Sequence, residues 1–355
     1  MYQLSERTIG QWLEYWAEND PDKEYIVYSD RNLRWTYRYF NSRVDELAKG
    51  LMAIGVKQGT HVGIWAANIP DWTTMLMACS KLGAVTITVN TNFKQYEVED
   101  LCLRSDMEVL CIGDHNKDNN FVQMTYQMLP ELKTQPFGQL RSDKLPCMRQ
   151  VIYFGAEPHR GMHTINEVMT MAMTTDDNEY AEARLKVHCR DLVNIQYTSG
   201  TTGFPKGAML SHYGICNNGF YTGEHLNFSD KARLCVCVPF FHCFGLVLGI
   251  INCLVHHCTM VVTERFDPLL VLGSIHKERC THLYGVPTMY LGLLNHPMFN
   301  LFDLRSLQAG IMAGNICPVN IVKRVEREMF MKVTSEYGFT EASPGMTATR
   351  WDDPF

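Results

Sequence analysis

Long apolar runs are missing from this sequence. The most apolar region, 244–255, is interrupted by Gly245, Gly249 and Asn252, so no stretch reaches the roughly 20 residues of a membrane-spanning helix. Paired cysteines are missing as well. The 13 cysteines are odd in number and scattered, and none has Cys-x-x-Cys spacing. That excludes a disulfide framework and a zinc ribbon, and it points to a reducing compartment with free, buried thiols. Cys235 and Cys237 fall on the same face of an expected strand and read as core. An excess of positive charge is absent: 32 basic against 38 acidic residues leave a net charge of −6, which argues against nonspecific nucleic-acid binding. The first residues, Met1 to Arg7, lack the apolar core of a signal peptide, so the expected location is cytoplasmic. Internal repeats and coiled-coil heptads are also absent.

What is present is a 355-residue chain, 46% hydrophobic, long enough for one large α/β domain or for two or three smaller ones. Apolar periodicity predicts a helix over 5–19, short strands at 24–28 and 33–36, and a helix ending at Gly55. An alternation follows: strand 61–66, helix 71–82 behind Pro70, strand 84–89, helix 96–105, strand 109–112. Polar surface segments are expected at 114–120 and 174–179, with a strand at 150–154 between them. Further strands are expected at 193–197, 233–238, 259–262, 282–286, 307–312 and 333–335. Helices are expected at 245–255, 268–277, 287–295 and 318–330, and after Ser211. Strands alternating with helices imply parallel sheets covered on both faces. The fold class is therefore α/β, with stacked, mostly parallel β-sheets flanked by helices.

The densest chemistry lies in Tyr-Thr-Ser-Gly-Thr-Thr-Gly-Phe-Pro-Lys-Gly, residues 197–207. Gly200, Gly203 and Gly207 permit φ > 0 and close backbone approach. Successive free N–H groups in such a loop attract anions. Thr198, Ser199, Thr201 and Thr202 add hydroxyls, and Lys206 adds a fixed charge. Together they suit a polyphosphate. The stretch is not G-x-x-x-x-G-K-[ST], because Gly207 rather than Ser or Thr follows the lysine. A flexible linker is the competing reading, disfavoured by the strand before the loop and the Pro-Lys-Gly after it.

Three more stretches carry candidate groups. In Pro239-Phe240-Phe241-His242-Cys243-Phe244-Gly245, a histidine sits among aromatics and could equally be a core residue. In Ser335-Glu336-Tyr337-Gly338-Phe339-Thr340-Glu341, a Tyr-Gly turn precedes Thr and Glu and could equally be a capped helix start. Residues 310–318, Gly-Ile-Met-Ala-Gly-Asn-Ile-Cys-Pro, form a third turn after an expected strand.

These four stretches together resemble the adenylate-forming, AMP-binding superfamily, and most of all its medium-chain fatty-acyl-CoA synthetases. Earlier segments agree, including Asn68-Ile69-Pro70-Asp71-Trp72 and Lys81-Leu82-Gly83-Ala84. The resemblance implies that residues 198–203 and Lys206 bind the ATP phosphates. It implies that Gly314, Asn315, Glu336, Tyr337, Gly338 and Thr340 surround AMP, with Tyr337 on adenine and Thr340 at the α-phosphate. Glu341 would hold Mg²⁺. His242 would lie beside the reacting carboxylate, and Phe240, Phe244 and Gly245 would wall the acyl pocket with it. His242, Thr340, Glu341 and Lys206 are the implied catalytic set. Ala313 departs from the double glycine common in the family. The expected substrates are a fatty acid, ATP and coenzyme A, and a homodimer is one expected assembly.

The resemblance also implies that the chain is an incomplete large N-terminal domain, 1–355, with approximate halves 1–190 and 191–355. The β-barrel portion and the small C-terminal domain of the family would lie beyond it, leaving the fragment inactive or very weak. The competing readings are an adenylation domain loading an amino or aryl acid onto a carrier protein, and a nucleotide-binding protein without turnover. The absence of an acid in 239–250 disfavours the amino-acid reading.

Overall fold

The computed structural model describes residues 4–198, 205–350 and 353. The chain folds into two compact units. One contains residues 6–11 and 41–213; the other contains the described residues of 1–5, 12–40 and 214–355. The units do not coincide with the approximate halves expected at residue 190. The reason is strand pairing: Glu24–Tyr28 joins Thr259–Val262 in parallel, with Ile26 opposite Met260, so the first strands belong to the later sheet.

The 41–213 unit is built on a seven-stranded sheet. Its order is Lys206–Ser211, Leu192–Thr198, Val85–Thr88, His61–Trp65, Val109–Ile112, Gln150–Tyr153, His163–Thr164. All pairings are parallel except the first, which is antiparallel. Val85–Thr88 and Val109–Ile112 are buried at every position, as parallel strands covered on both faces should be. Helix Pro70–Leu82 begins with proline at its first position and ends at Gly83, whose φ of 69° is left-handed, so glycine closes the helix without strain. Buried Lys81 donates to Asn41 (2.8 Å) and Asp45 (2.6 Å), and Tyr180 donates to the same Asp45 oxygen (2.5 Å). A buried ammonium is tolerated only when paired in this way.

Two expectations are corrected in this unit. Residues 115–120 form a small antiparallel hairpin tied down by the Asn116 and Asn119 amides, which donate to the Thr91 carbonyl. The polar segment 174–179 includes the start of helix Asp177–Leu185, because Asp176 accepts from Asn178 N and Glu179 N as its N-cap.

The other unit holds an eight-stranded sheet. Its order is Gly345–Ala348, Lys332–Gly338, Ala309–Ala313, His282–Gly285, Arg233–Val236, Thr259–Val262, Glu24–Tyr28, Leu33–Thr36. The two outermost pairings are antiparallel and the rest parallel. Buried Glu278 accepts from Arg34 (2.6 Å) and Arg233 (3.0 Å), and Glu24 accepts from the same two arginines. The helical segment 243–255 departs from its expected regularity: Leu246–Ile251 is π-helical. Gly219 lets helix His212–His225 approach it, since a Cβ there would stand 3.2 Å from Asn252 N and 3.3 Å from Val247 O. π-Turns inside helices occur preferentially at functional sites.

Candidate active site

In the eight-stranded unit, His242, Gly314 and Thr340 follow the carboxyl ends of strands Arg233–Val236, Ala309–Ala313 and Lys332–Gly338. Open α/β sheets bind their ligands at that edge. The sequence separates His242 from Thr340 by 98 positions, and Cys243 joins them. Its Sγ lies 3.6 Å from His242 Nδ1 and 3.5 Å from Thr340 Oγ1. Cys243 is buried, and burial pushes its thiol pKa up. It acts as a spacer between two polar groups, not as a thiolate nucleophile.

The hydrogen bonds of His242 define its chemistry. Its Nδ1 accepts from the Phe244 backbone N–H (3.1 Å), capping the following helical turn. That bond assigns the proton to Nε2. Residue 242 has an exposed edge, yet the packed protein behind the ring desolvates it and lowers its pKa. At neutral pH it is a neutral Nε2–H donor at the rim of the site. Phe244 is buried and stacks on Tyr284, ring centroids 5.9 Å apart. Phe240 is wholly buried. Gly245 is packed so that a Cβ would fall 2.1 Å from the Pro239 carbonyl oxygen. Its glycine is required by the turn itself, whatever else it lines.

Lys332–Gly338 hairpins back through the turn Thr340–Ala342 to Gly345–Ala348. The tip is fastened at several points. Phe339 N donates to Pro344 O (3.1 Å) and Ser343 N to Thr340 O (3.0 Å). Asn218, on helix His212–His225, clamps Gly345 twice, accepting from its N–H (3.0 Å) and donating to its carbonyl (2.8 Å). Tyr337 is 65% exposed, an open aromatic residue of the kind that stacks on a purine. Adjacent side chains of a strand point to opposite faces, so Glu336 does not share that side with Tyr337. Glu336 lines a cavity of about 90 Å³ with Thr334, Asn218, Thr222 and Gly345. Desolvation raises its pKa to about 7. Only the backbone of Glu336 remains on the side of the expected adenine surface. Glu341 is exposed on the turn, as are Gly338, Gly314 and Asn315. Gly314 has φ +79°, so glycine is needed there for the turn, and Asn315 Oδ1 accepts from Ile316 N.

The other expected residues belong to the seven-stranded unit. Leu192–Thr198 pairs antiparallel with Lys206–Ser211, with Thr198 opposite Lys206 and Tyr197 opposite Gly207. Thr198 Oγ1 donates to the Lys206 carbonyl (3.5 Å), and Lys206 is exposed. Ser199, Gly200, Thr201, Thr202 and Gly203 lie outside the described residues. Strand Lys206–Ser211 stands where a direct passage into a helix was expected; helix His212–His225 follows it. A cavity of about 960 Å³ also belongs to this unit. It is lined by Gln135, Arg141, Asp143 and Arg149 and by Val109 and Gln150, which begin their strands. It lies at the amino ends of those strands and contains none of the expected site residues.

A sequence profile described as AMP-binding enzyme matches residues 13–355. The chain belongs to the AMP-binding enzyme family. Bacillus subtilis (strain 168) YngI, which carries the name of an acyl-CoA synthetase, is 42% identical over 356 residues, covering 100% of this chain and 65% of its own length. A mitochondrial medium-chain acyl-CoA ligase of Homo sapiens is 33% identical over 350 residues, covering 96% of this chain and 56% of its own. The chain thus spans less than two thirds of these relatives. The anthranilate CoA ligase AuaEII, solved with anthranoyl-AMP, superposes with a TM-score of 0.85 at 20% identity over 100% of this chain and 64% of its own. That likeness establishes the fold, the N-terminal architecture of AMP-binding enzymes.

A magnesium–nucleotide asks little of the protein, because Mg²⁺ keeps several waters and takes one or two carboxylates beside the phosphates. The exposed Glu341 carboxylate at the hairpin tip fits that demand. Among the described residues, no three His, Cys, Asp or Glu gather into a metal cage. Two contributors, Asn218 and Cys243, were not legible as site residues in the sequence. An asparagine in a helix and a cysteine beside a histidine carry no pattern that marks them.

Proposed function

We propose that this chain is the nucleotide- and acid-binding part of an ATP-dependent carboxylate–CoA ligase acting on fatty acids. The observation that carries the reading is the meeting of His242, Cys243 and Thr340 at the carboxyl edge of one sheet, with Tyr337 open beside them. In the reaction, a carboxylate oxygen attacks the α-phosphorus of ATP and the bond to the β-phosphate bridging oxygen breaks. The products are an acyl-adenylate and pyrophosphate. The sulfur of coenzyme A then attacks the acyl carbon and AMP leaves. Catalysis of this kind is positioning and charge neutralisation. Lys206 and the 198–203 loop are assigned to the phosphates, Thr340 to the α-phosphate and Tyr337 to the purine. Glu341 would carry Mg²⁺, which supplies charge neutralisation when bound. His242 donates through Nε2–H toward the acid.

The names of the two curated relatives support the acyl-CoA reading. The amino-acid alternative is not favoured by the segment 239–250, which contains no acid. The described cysteines are all free and no described helix is long and apolar enough to cross a membrane. Both facts are compatible with the cytoplasmic location proposed here. The test is pyrophosphate release by the full-length protein with ATP, Mg²⁺ and a panel of carboxylic acids. Release with medium-length fatty acids supports the reading. Release with amino acids or benzoates but not fatty acids overturns the substrate class.

A further inference from the structure

We infer that Glu336 is a specificity-determining residue that selects acids bearing a hydrogen-bond donor, a hydroxyl or an ammonium, near the carboxylate. The inference rests on the ligase reading and narrows its substrate class.

The cavity of about 90 Å³ between helix His212–His225 and the 332–348 hairpin has room for only a few water-sized groups. That is room for a polar substituent, not for a long alkyl chain. Its polar groups are unequally provided for. The Asn218 amide is committed to Gly345 through both its oxygen and its nitrogen. Thr334, 1% exposed, has a buried hydroxyl with no partner among the described residues. Glu336 has no hydrogen bond or ion pair among the described residues; its carboxylate is shifted by desolvation alone. Among the described residues, no lysine or arginine lines the cavity. Thr334 and Glu336 are two residues apart on one strand and therefore share its face.

A purely hydrocarbon acid offers no partner to the buried Thr334 hydroxyl or to the half-buried Glu336 carboxyl. A donor on the substrate would satisfy them. The position is close to the chemistry, because Glu336 acts electrostatically on Cys243 and on Tyr284, and Cys243 contacts His242 and Thr340. The titratable groups facing Glu336 are Tyr221 and His225 from helix His212–His225, Cys243 from the helical turn after His242, and Tyr284 from strand His282–Gly285. None of them is a fixed cation. A hydroxyl donor is therefore accepted in either charge state of Glu336, whereas an ammonium requires the ionised form.

The experiment compares kcat/KM for pyrophosphate release by the full-length protein over matched acids of one chain length: unsubstituted, β-hydroxy and β-amino. Donor-bearing acids are expected to exceed the unsubstituted acid by about tenfold or more. Glu336→Leu, which removes the acceptor, should abolish that ratio, Glu336→Gln should remove only the advantage of an ammonium, and Thr334→Val should lower the ratio part-way. If the ammonium is the donor, its advantage should grow as pH rises through about 7 and vanish in Glu336→Gln; a hydroxyl advantage should change little with pH. Equal kcat/KM for all three acids, or a ratio unchanged by Glu336→Leu, overturns the inference. Calorimetric titration of the same acids into wild type and Glu336→Leu provides a readout without turnover. If no acid supports pyrophosphate release, the ligase reading fails, and an absent binding preference in calorimetry separately removes the role of Glu336.

Discussion

Both units end their parallel sheets with the same device. In each, a seven-residue strand, Leu192–Thr198 or Lys332–Gly338, turns back into an antiparallel edge strand. In each, the expected phosphate or metal chemistry lies at the turn: Thr198 and Lys206 in one, Thr340 and Glu341 in the other. The two turns are specified differently. The 339–344 turn is held by its own backbone bonds and by the Asn218 clamp on Gly345. Between Thr198 and Lys206 the sequence is Ser-Gly-Thr-Thr-Gly-Phe-Pro, a composition in which glycine permits close backbone approach to an anion. The fastened turn presents side chains at fixed positions. A purine and a metal ask for placed side chains, whereas a triphosphate asks for many donors.

The sharpest way to break the comparison is at the charged end of the glycine-rich hairpin. Lys206→Ala should lower kcat/KM for ATP by about 10²–10³-fold, the usual loss for one transition-state donor. The melting temperature should barely move, because the side chain is exposed. Steady-state kinetics with varied ATP checks this, and unchanged ATP kinetics would remove the phosphate role. At the fastened hairpin, Thr340→Val should cost acid-dependent pyrophosphate release a smaller factor, about 10–100-fold. Loss of folding in this variant would instead make Thr340 a structural residue, and circular dichroism separates the two outcomes.

Glu336 offers a pH test of the fastened hairpin. Its folded pKa, about 7, lies above the unfolded carboxylate value near ~4.3. Between these values the folded protein binds more protons than the unfolded one, so this residue's contribution is fully present at low pH and is lost as pH rises through about 7. The amplitude should be on the order of 1–3 kcal/mol, allowing for solvent screening of a half-buried group. Denaturant midpoints at pH 5 and pH 8 should differ less in Glu336→Gln than in wild type; equal differences would mean that Glu336 is paired. The smallest effect is expected from Asn218→Ala, which removes the partner of two part-buried backbone groups of Gly345 and should cost about 1–2 kcal/mol. Urea unfolding measures it, and an unchanged midpoint would show that the turn holds itself.

Much of this architecture was legible in the sequence where buried strands sit between turn residues. Strands Glu24–Tyr28, Leu33–Thr36, Val109–Ile112 and Thr259–Val262 fall on their expected residues. Proline at the helix start and glycine beyond the end marked Pro70–Leu82. Edge strand Lys206–Ser211 escaped because Lys-Gly-Ala-Met-Leu-Ser mixes turn and strand residues; its alternating burial emerges only once it pairs with Leu192–Thr198. The pairing of Glu24–Tyr28 with Thr259–Val262 spans more than 200 positions, a distance that no local pattern encodes. For the same reason the inward direction of Glu336 was missed. A strand expected only over 333–335 stops one residue short of the alternation that turns Glu336 away from Tyr337. The motifs identified the chemistry, whereas the direction of each side chain came from sheet pairing.

The measurement closest to the central claim is exchange of radiolabelled pyrophosphate into ATP by the full-length protein, with and without a carboxylic acid. Exchange reports acyl-adenylate formation alone, independent of coenzyme A. The account predicts exchange that requires both an acid and Mg²⁺ and falls sharply in Lys206→Ala and Thr340→Val. Exchange absent with every acid tested, or equally fast without acid, would contradict it.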